Sequence, residues 1–204
     1  MGILKKYAVL IGISISLLFM LVAIAVYPGG TFQDKNSIGF DWANNFFSNL
    51  FGAKALNGTV NTSRYWAYTG MFFYSISCAI FFVNMSQKIP NKVASNFIKY
   101  VGLLTMPCTF LVVTPFHDLM LAISANLFWA CIICITVYVL KSNLLFFKYY
   151  AVLCILIFYF ATYLYISAEW GLLSLIQKVN NISAILLILG LEYFTHKVDF
   201  AHIK

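Results

Sequence analysis

The stretch Thr114-Pro115-Phe116-His117-Asp118 places an imidazole beside a carboxylate, a pairing that can hold a metal or pass a proton. Thr114 is expected to cap a helix with Pro115 at its first position. His117 and Asp118 would then fall in the first turn, where the helix dipole favours an acid. These two are the catalytic candidates; a capped helix end with an interfacial histidine is the plainer reading of the same residues. A second group gathers Asp41, Asn44, Asn45, Ser48 and Asn49 in one short stretch, with Arg64 just before an apolar run and Glu169 just after another. Polar and ionisable groups close to an apolar bundle are costly and usually serve a purpose. The seven are therefore candidate ligand-binding residues, against the alternative of an ordinary polar belt at helix ends.

Other patterns are weaker. Cys131-Ile-Ile-Cys134 has the spacing of a redox pair or half a metal site, but it lies deep in an apolar run, where thiols pack as small hydrophobes. Glu192, His196 and Asp199 share a face if the helix continues through them, which would suit a divalent metal or simply a solvated helix end. No metal ligand set is assigned, and the sequence specifies no cofactor.

The elements that must position these groups follow from composition. The chain has 204 residues, 62% hydrophobic and 9% charged, with a mean hydropathy of +0.88. A soluble domain carries about 25% charged residues, so this chain cannot cover a water-facing surface and its solvent must be largely lipid. The formal charge of +7 is spread singly or in pairs between apolar runs, which excludes the basic patch of a nucleic-acid binder. A membrane helix needs about 20 mostly apolar residues. Segments near 7–27, 65–85, 97–114, 119–140, 149–167 and 178–194 meet that requirement. The expected fold is all-α: a polytopic bundle of six transmembrane helices forming a single domain over residues 1–204. Pro107 should kink the third helix without ending it. The first apolar run could serve as a cleaved signal peptide, but it exceeds the usual 7–15 residues of such a core, so a retained helix is expected.

Charge sets the orientation. With the N-terminus inside, the inner segments carry Lys5, Lys6, Lys88, Lys92, Lys141, Lys148, Lys197 and Lys204. The outer segments carry Lys35, Lys54, Arg64 and Lys178. Eight against four places both termini in the cytoplasm. Within the long outer segment, 28–64, Trp42, Phe46, Leu50 and Ala53 recur at helical spacing, which predicts a short amphipathic helix on the outer face between helices 1 and 2.

Asp41-Trp-Ala-Asn-Asn-Phe-Phe-Ser-Asn-Leu50, Ala55-Leu-Asn-Gly-Thr-Val-Asn61 with Arg64, and Thr114-Pro-Phe-His-Asp-Leu-Met120 together resemble a family of uncharacterised bacterial six-span membrane proteins. The likeness covers most of the chain and implies a helical bundle in a bacterial inner membrane, without a reaction. The chain is more distantly similar to the alkaline ceramidase and adiponectin-receptor hydrolases, which build a zinc site from three histidines. Here His117 alone lies in the apolar region, while His196 and His202 fall at the opposite end, so that ligand set is missing.

Three functions are compatible with these residues. One is a polar pocket at the outer face that binds a lipid headgroup or small amphiphile, with His117 and Asp118 orienting it or acting as base. Another is a non-catalytic accessory subunit that docks a membrane-protein partner. A small transporter is the weakest, since no inverted repeat is visible. Membrane lipid is the expected partner and nucleic acid is not; oligomeric state is open.

Overall fold

The computed structural model describes residues 3–203. Six long helices follow one another: α1 (Ala8–Ala25), α2 (Ser63–Ser86), α3 (Lys92–Leu111), α4 (His117–Lys141), α5 (Leu145–Ile166) and α6 (Trp170–Phe194). A short helical turn, Ile3–Lys6, precedes them, and two 3-10 turns, Phe47–Leu50 and Lys197–Asp199, lie outside them. Among the described residues there is no strand, only the isolated bridges Gly29–Ile38 and Lys54–Val60. All but α3 are long and apolar enough to cross a membrane; the chain is a membrane-embedded helical protein.

Successive helices run antiparallel, which defines two ends. Residues 26–62 close one of them and are termed the cap; the tail, 195–203, folds against the other. Asn91 starts α3 by accepting from Ala94 N at 3.0 Å, satisfying a first-turn amide. That helix continues through Pro107. At the α4–α5 turn the Ser142 hydroxyl donates to Val139 O at 2.7 Å and accepts from Leu144 N at 3.2 Å.

The main core joins Phe81, Phe82 and Met85 of α2 with Ile98 of α3, Ile132 and Ile135 of α4, and Leu187, Ile188 and Leu191 of α6. Trp129 of α4 stacks on Phe158 of α5 at 4.7 Å, in the range of a favourable aromatic pair. A second cluster brings Tyr27, Leu50, Phe51 and Ala55 of the cap against Ala23, Ala67, Val112 and Val113. The cap is thus packed into the bundle and is not a tether above it. Leu18, Phe146 and Ile166 stay 62–77% exposed on the flanks, as side chains solvated by lipid should.

Three local expectations differ from the structure. The segment around 38–51 forms turns and the single 3-10 turn Phe47–Leu50 instead of an amphipathic helix. The cause is chemical: Asp and Asn side chains there take up backbone amides that a helix would have used. Phe46 and Leu50 are buried as the spacing suggests, whereas Trp42 is half exposed. At the α3–α4 turn, α4 begins at His117 after Phe116, and the Thr114 hydroxyl donates to Leu111 O at 2.6 Å. Thr114 therefore closes α3 instead of capping α4. Helix α6 also starts at Trp170, ahead of the expected 178, which draws Gln177 and Lys178 onto a helix.

Candidate functional site at the cap end

The cap owes its shape to amides and glycines. Gly29 and Gly30 have φ of 133° and 89°, left-handed values that side chains resist. An added Cβ at Gly29 would also meet Gly39 N at 3.0 Å. Asn45 is fully buried; its side chain accepts from Asp41 N at 2.8 Å and donates to Gly30 O at 2.8 Å. Asn49 accepts from Phe46 N at 2.7 Å. Asn61, also fully buried, donates to Asn49 O, Leu50 O and Gly52 O at 3.2, 3.2 and 2.9 Å, and accepts from the Ser63 hydroxyl at 2.5 Å. Each amide stands in for a missing strand or helix partner.

Asp41 turns its carboxylate inward on the same loop. Its Oδ2 accepts from Asn44 Nδ2 at 2.7 Å, and its Oδ1 accepts from Ala43 N and Asn44 N at 2.8 and 3.2 Å. The Asn44 amide, followed by the backbone N–H groups, holds this carboxyl below its ordinary value. Hydrogen bonding to the ionised form is the reason.

Helix α6 grips the cap through three side chains. Ser174 donates to Ala43 O, Gln177 accepts from Phe47 N at 3.1 Å, and Lys178 donates to Asn45 O at 2.6 Å. Lys178 is 7% exposed, a rare state for a lysine. A second proton goes to Ser174 O at 2.7 Å, and the ammonium lies 5.8 Å from the ring centres of both Phe40 and Phe47, within cation–π range. Sequence reading counts Lys178 as a topology charge; its flanking by Ser174 and Gln177 at helical spacing is the only sign of the grip.

The catalytic candidates sit at the neighbouring turn. His117 Nδ1 is 2.6 Å from Val112 O. A carbonyl can only accept, so Nδ1 carries a hydrogen at this contact. The imidazole also lies 6.4 Å from the Phe51 ring, which joins this turn to the cap. Asp118 is exposed beside it.

Arg64, in the first turn of α2, stacks on Tyr65 at 4.7 Å and donates from Nη2 to its hydroxyl at 2.7 Å. Its Nε is enclosed and has no hydrogen-bond partner. Glu169 is exposed at the α5–α6 turn, where Ala168 has a φ of 57°.

The structure thus joins Asp41, Asn44, Asn45 and Asn49 in one network, with Lys178 attached. Ser48 is half-buried on the 3-10 turn, and Arg64, Glu169 and the His117–Asp118 pair occupy separate positions around the cap. Among the described residues no three His, Cys, Asp or Glu side chains come together to hold a metal. All five cysteines are free, with Cys131 buried and Cys134 half-buried. Two open grooves lie elsewhere and are apolar. One, about 260 Å³, runs between α1 and α2 past Gly12 and Ser77; the other, about 520 Å³, lies between α5 and α6 at Phe147 and Gly190.

Fold and cap together define a polytopic helical membrane protein with one end sealed by a hydrogen-bonded loop. Comparison with protein-family models, curated proteins and solved structures finds no match to this chain.

Proposed function

We propose that this chain is a six-span protein of a bacterial inner membrane, with both termini cytoplasmic, whose outward-facing cap end binds the phosphate of an anionic lipid headgroup. Six spans are supported by connectivity. Helix α2 ends away from the cap, and α4 begins against Phe51, so the 20 residues of α3 must cover the full distance. At 1.5 Å per residue that is about 30 Å, the thickness of a hydrocarbon core. Lys92 and Lys99 lie toward the tail end of α3 and can snorkel to that surface.

Arg64 carries the headgroup reading. Most polar side chains of the cap are used up in holding its own backbone, whereas the half-buried Arg64 guanidinium gives a single hydrogen bond among the described residues, from Nη2 to Tyr65. It sits at a helix N-terminus, whose free amides and dipole favour anions, and its planar fork matches phosphate. Exposed Tyr65 and Trp66 beside it belong to the headgroup level. Within this reading the His117–Asp118 pair, at its own turn beside the cap, orients the headgroup or acts as base, Ser48 and Glu169 belong to the polar rim, and Asp41, Asn44, Asn45 and Asn49 hold the cap that shapes it.

The test is lipid retention by the delipidated protein, comparing phosphatidylglycerol with phosphatidylcholine by native mass spectrometry. Preferential retention of the anionic lipid, reduced about tenfold or more in Arg64→Ala, is expected. Equal retention of both lipids, unaffected by the substitution, removes the reading.

A second reading, an accessory subunit docking a membrane-protein partner through the cap, is favoured by Ile38, Val60 and Phe32, which are 97%, 72% and 57% exposed. Crosslinking in native membranes that recovers only monomer would remove it.

A further inference from the structure

The opposite end of the bundle holds a carboxyl that the cap-end reading does not use. Glu192 lies in the last turn of α6, and its Oε1 accepts from Asn84 Nδ2 of α2 at 2.6 Å. Its Oε2 is enclosed and has no partner among the described residues. Among the described residues the cation beside it is committed elsewhere: Lys88 Nζ donates to Leu191 O and Glu192 O at 2.8 Å each and lies 3.4 Å from Thr195 Oγ1. None of these acceptors is a carboxylate oxygen. Lys88 thus closes the negative end of the helix dipole and holds Thr195, the first residue of the tail. The tail then turns back on itself, with His196 N donating to Asp199 Oδ2 at 2.6 Å. Phe200 and Ile203 enter the main core, 0% and 6% exposed. The helix ends at Phe194, so Glu192, His196 and Asp199 do not share a face, and His196 is exposed.

An ionised carboxylate with an enclosed, unpartnered oxygen is costlier than a neutral carboxyl in the same place. A metal cation is a poor substitute here, because the Lys88 ammonium already occupies the neighbouring carbonyls. We infer that Glu192 is a proton-binding residue, neutral while the tail is docked, and that loss of its proton draws Lys88 from the end of α6 to the carboxylate and releases residues 195–203. The step is an exchange of one proton with solvent, and its balance needs no other reactant. Among the described residues the charged and titratable groups facing the site are Lys88, Asp199, the adjacent Tyr193, and Tyr7, which stacks on Tyr193 at 5.9 Å. Tyr193 in turn accepts from Leu10 N at 3.0 Å, so α1 is fixed to the same junction. Docking takes up a proton in this scheme, so it is favoured at low pH and weakens as pH rises.

The chain contains only two glutamates, Glu169 and Glu192, and Glu169 is exposed. Carboxyl-labelled glutamate in the full-length protein in nanodiscs therefore gives a nearly private infrared signal. The expected result at neutral pH is a protonated-carboxyl band that is absent in Glu192→Gln. Amide exchange of residues 195–203, corrected for intrinsic rates, should rise with pH in the wild type by up to about tenfold per pH unit as that band fades. In Glu192→Gln, which keeps an amide partner for Asn84, exchange should stay slow and flat. Two ionised glutamates at neutral pH in the wild type would overturn the inference without any variant. So would a tail whose protection ignores the loss of the band, or a Glu192→Gln tail that still responds as the wild type does.

Discussion

Lys178 and Asn45 are joined across the boundary between helix and cap, the ammonium donating to a main-chain carbonyl of a loop residue 133 positions earlier at 2.6 Å. This contact, with those of Ser174 and Gln177, makes one face of α6 a ruler for the cap backbone. Lys178→Met keeps the stem but leaves Asn45 O without its donor. A charged hydrogen bond of this kind contributes about 1.5–3 kcal/mol, offset in part because a buried charge is no longer needed. The net expectation is a modest loss in global stability with a large rise in amide exchange confined to residues 41–49. Exchange in that segment equal to wild type would show that the lysine does not hold the cap.

Asn61 tests the cap from the other side. Its amide satisfies three carbonyls while Ser63 donates to its oxygen. Replacement by Asp keeps the size and removes the donor, setting a carboxylate against those carbonyls. A loss of about 3 kcal/mol or more is expected, read as a lower midpoint of unfolding in detergent. A midpoint within error of wild type would mean that solvent or another donor already serves those oxygens.

Much of the helical scaffold was legible because its signal is cumulative. Twenty apolar residues without a charge point to one outcome in lipid, and each of the expected segments overlaps a helix. The cap was legible in composition but not in conformation. The 3.6-residue recurrence of Trp42, Phe46 and Leu50 suggested a helix, yet Asn45 and Asn49 divert the backbone amides, and side-chain competition of that kind leaves no mark on hydrophobic spacing. Of the candidate residues, Asp41, Asn44, Asn45 and Asn49 were found together because they are neighbours in sequence. Their hold on Lys178 was not, since a lysine near a helix end looks the same whether it reaches water or a carbonyl of a distant loop. Glu192 and Lys88 were hidden for the same reason: which oxygen lacks a partner depends on how α2 and α6 are set against each other.

Asp41 gives the cap a dependence on acid. The Asn44 amide and two backbone amides hold its carboxyl below the ordinary carboxylate range. A group with a depressed folded value contributes stability above its unfolded value and loses it as pH falls through the folded one. Local protection of residues 41–45 should therefore be constant near neutrality and decline only in acid, at and below the usual range for Asp. Asp41→Asn should be weaker at neutral pH and lack that acid step. An acid step retained in Asp41→Asn would assign it to another group.

Gly102 tests the packing of the least apolar helix. A Cβ there would meet Phe82 Cβ and Cγ at 2.5 Å, and Phe82 is fully buried against Phe81 and Phe128. The clash is with the root of a rigid ring, so Phe82 cannot swing clear and α3 must move from α2. Gly102→Ala would itself favour the helix by about 1 kcal/mol, whereas overpacking costs about 1–3 kcal/mol. With the ring unable to yield, overpacking outweighs the gain in helix preference, and a lower unfolding midpoint is expected. Coupling to Phe82→Leu supplies the control: the smaller side chain should recover part of the loss. A Gly102→Ala protein more stable than wild type would show that α3 does not approach α2 this closely.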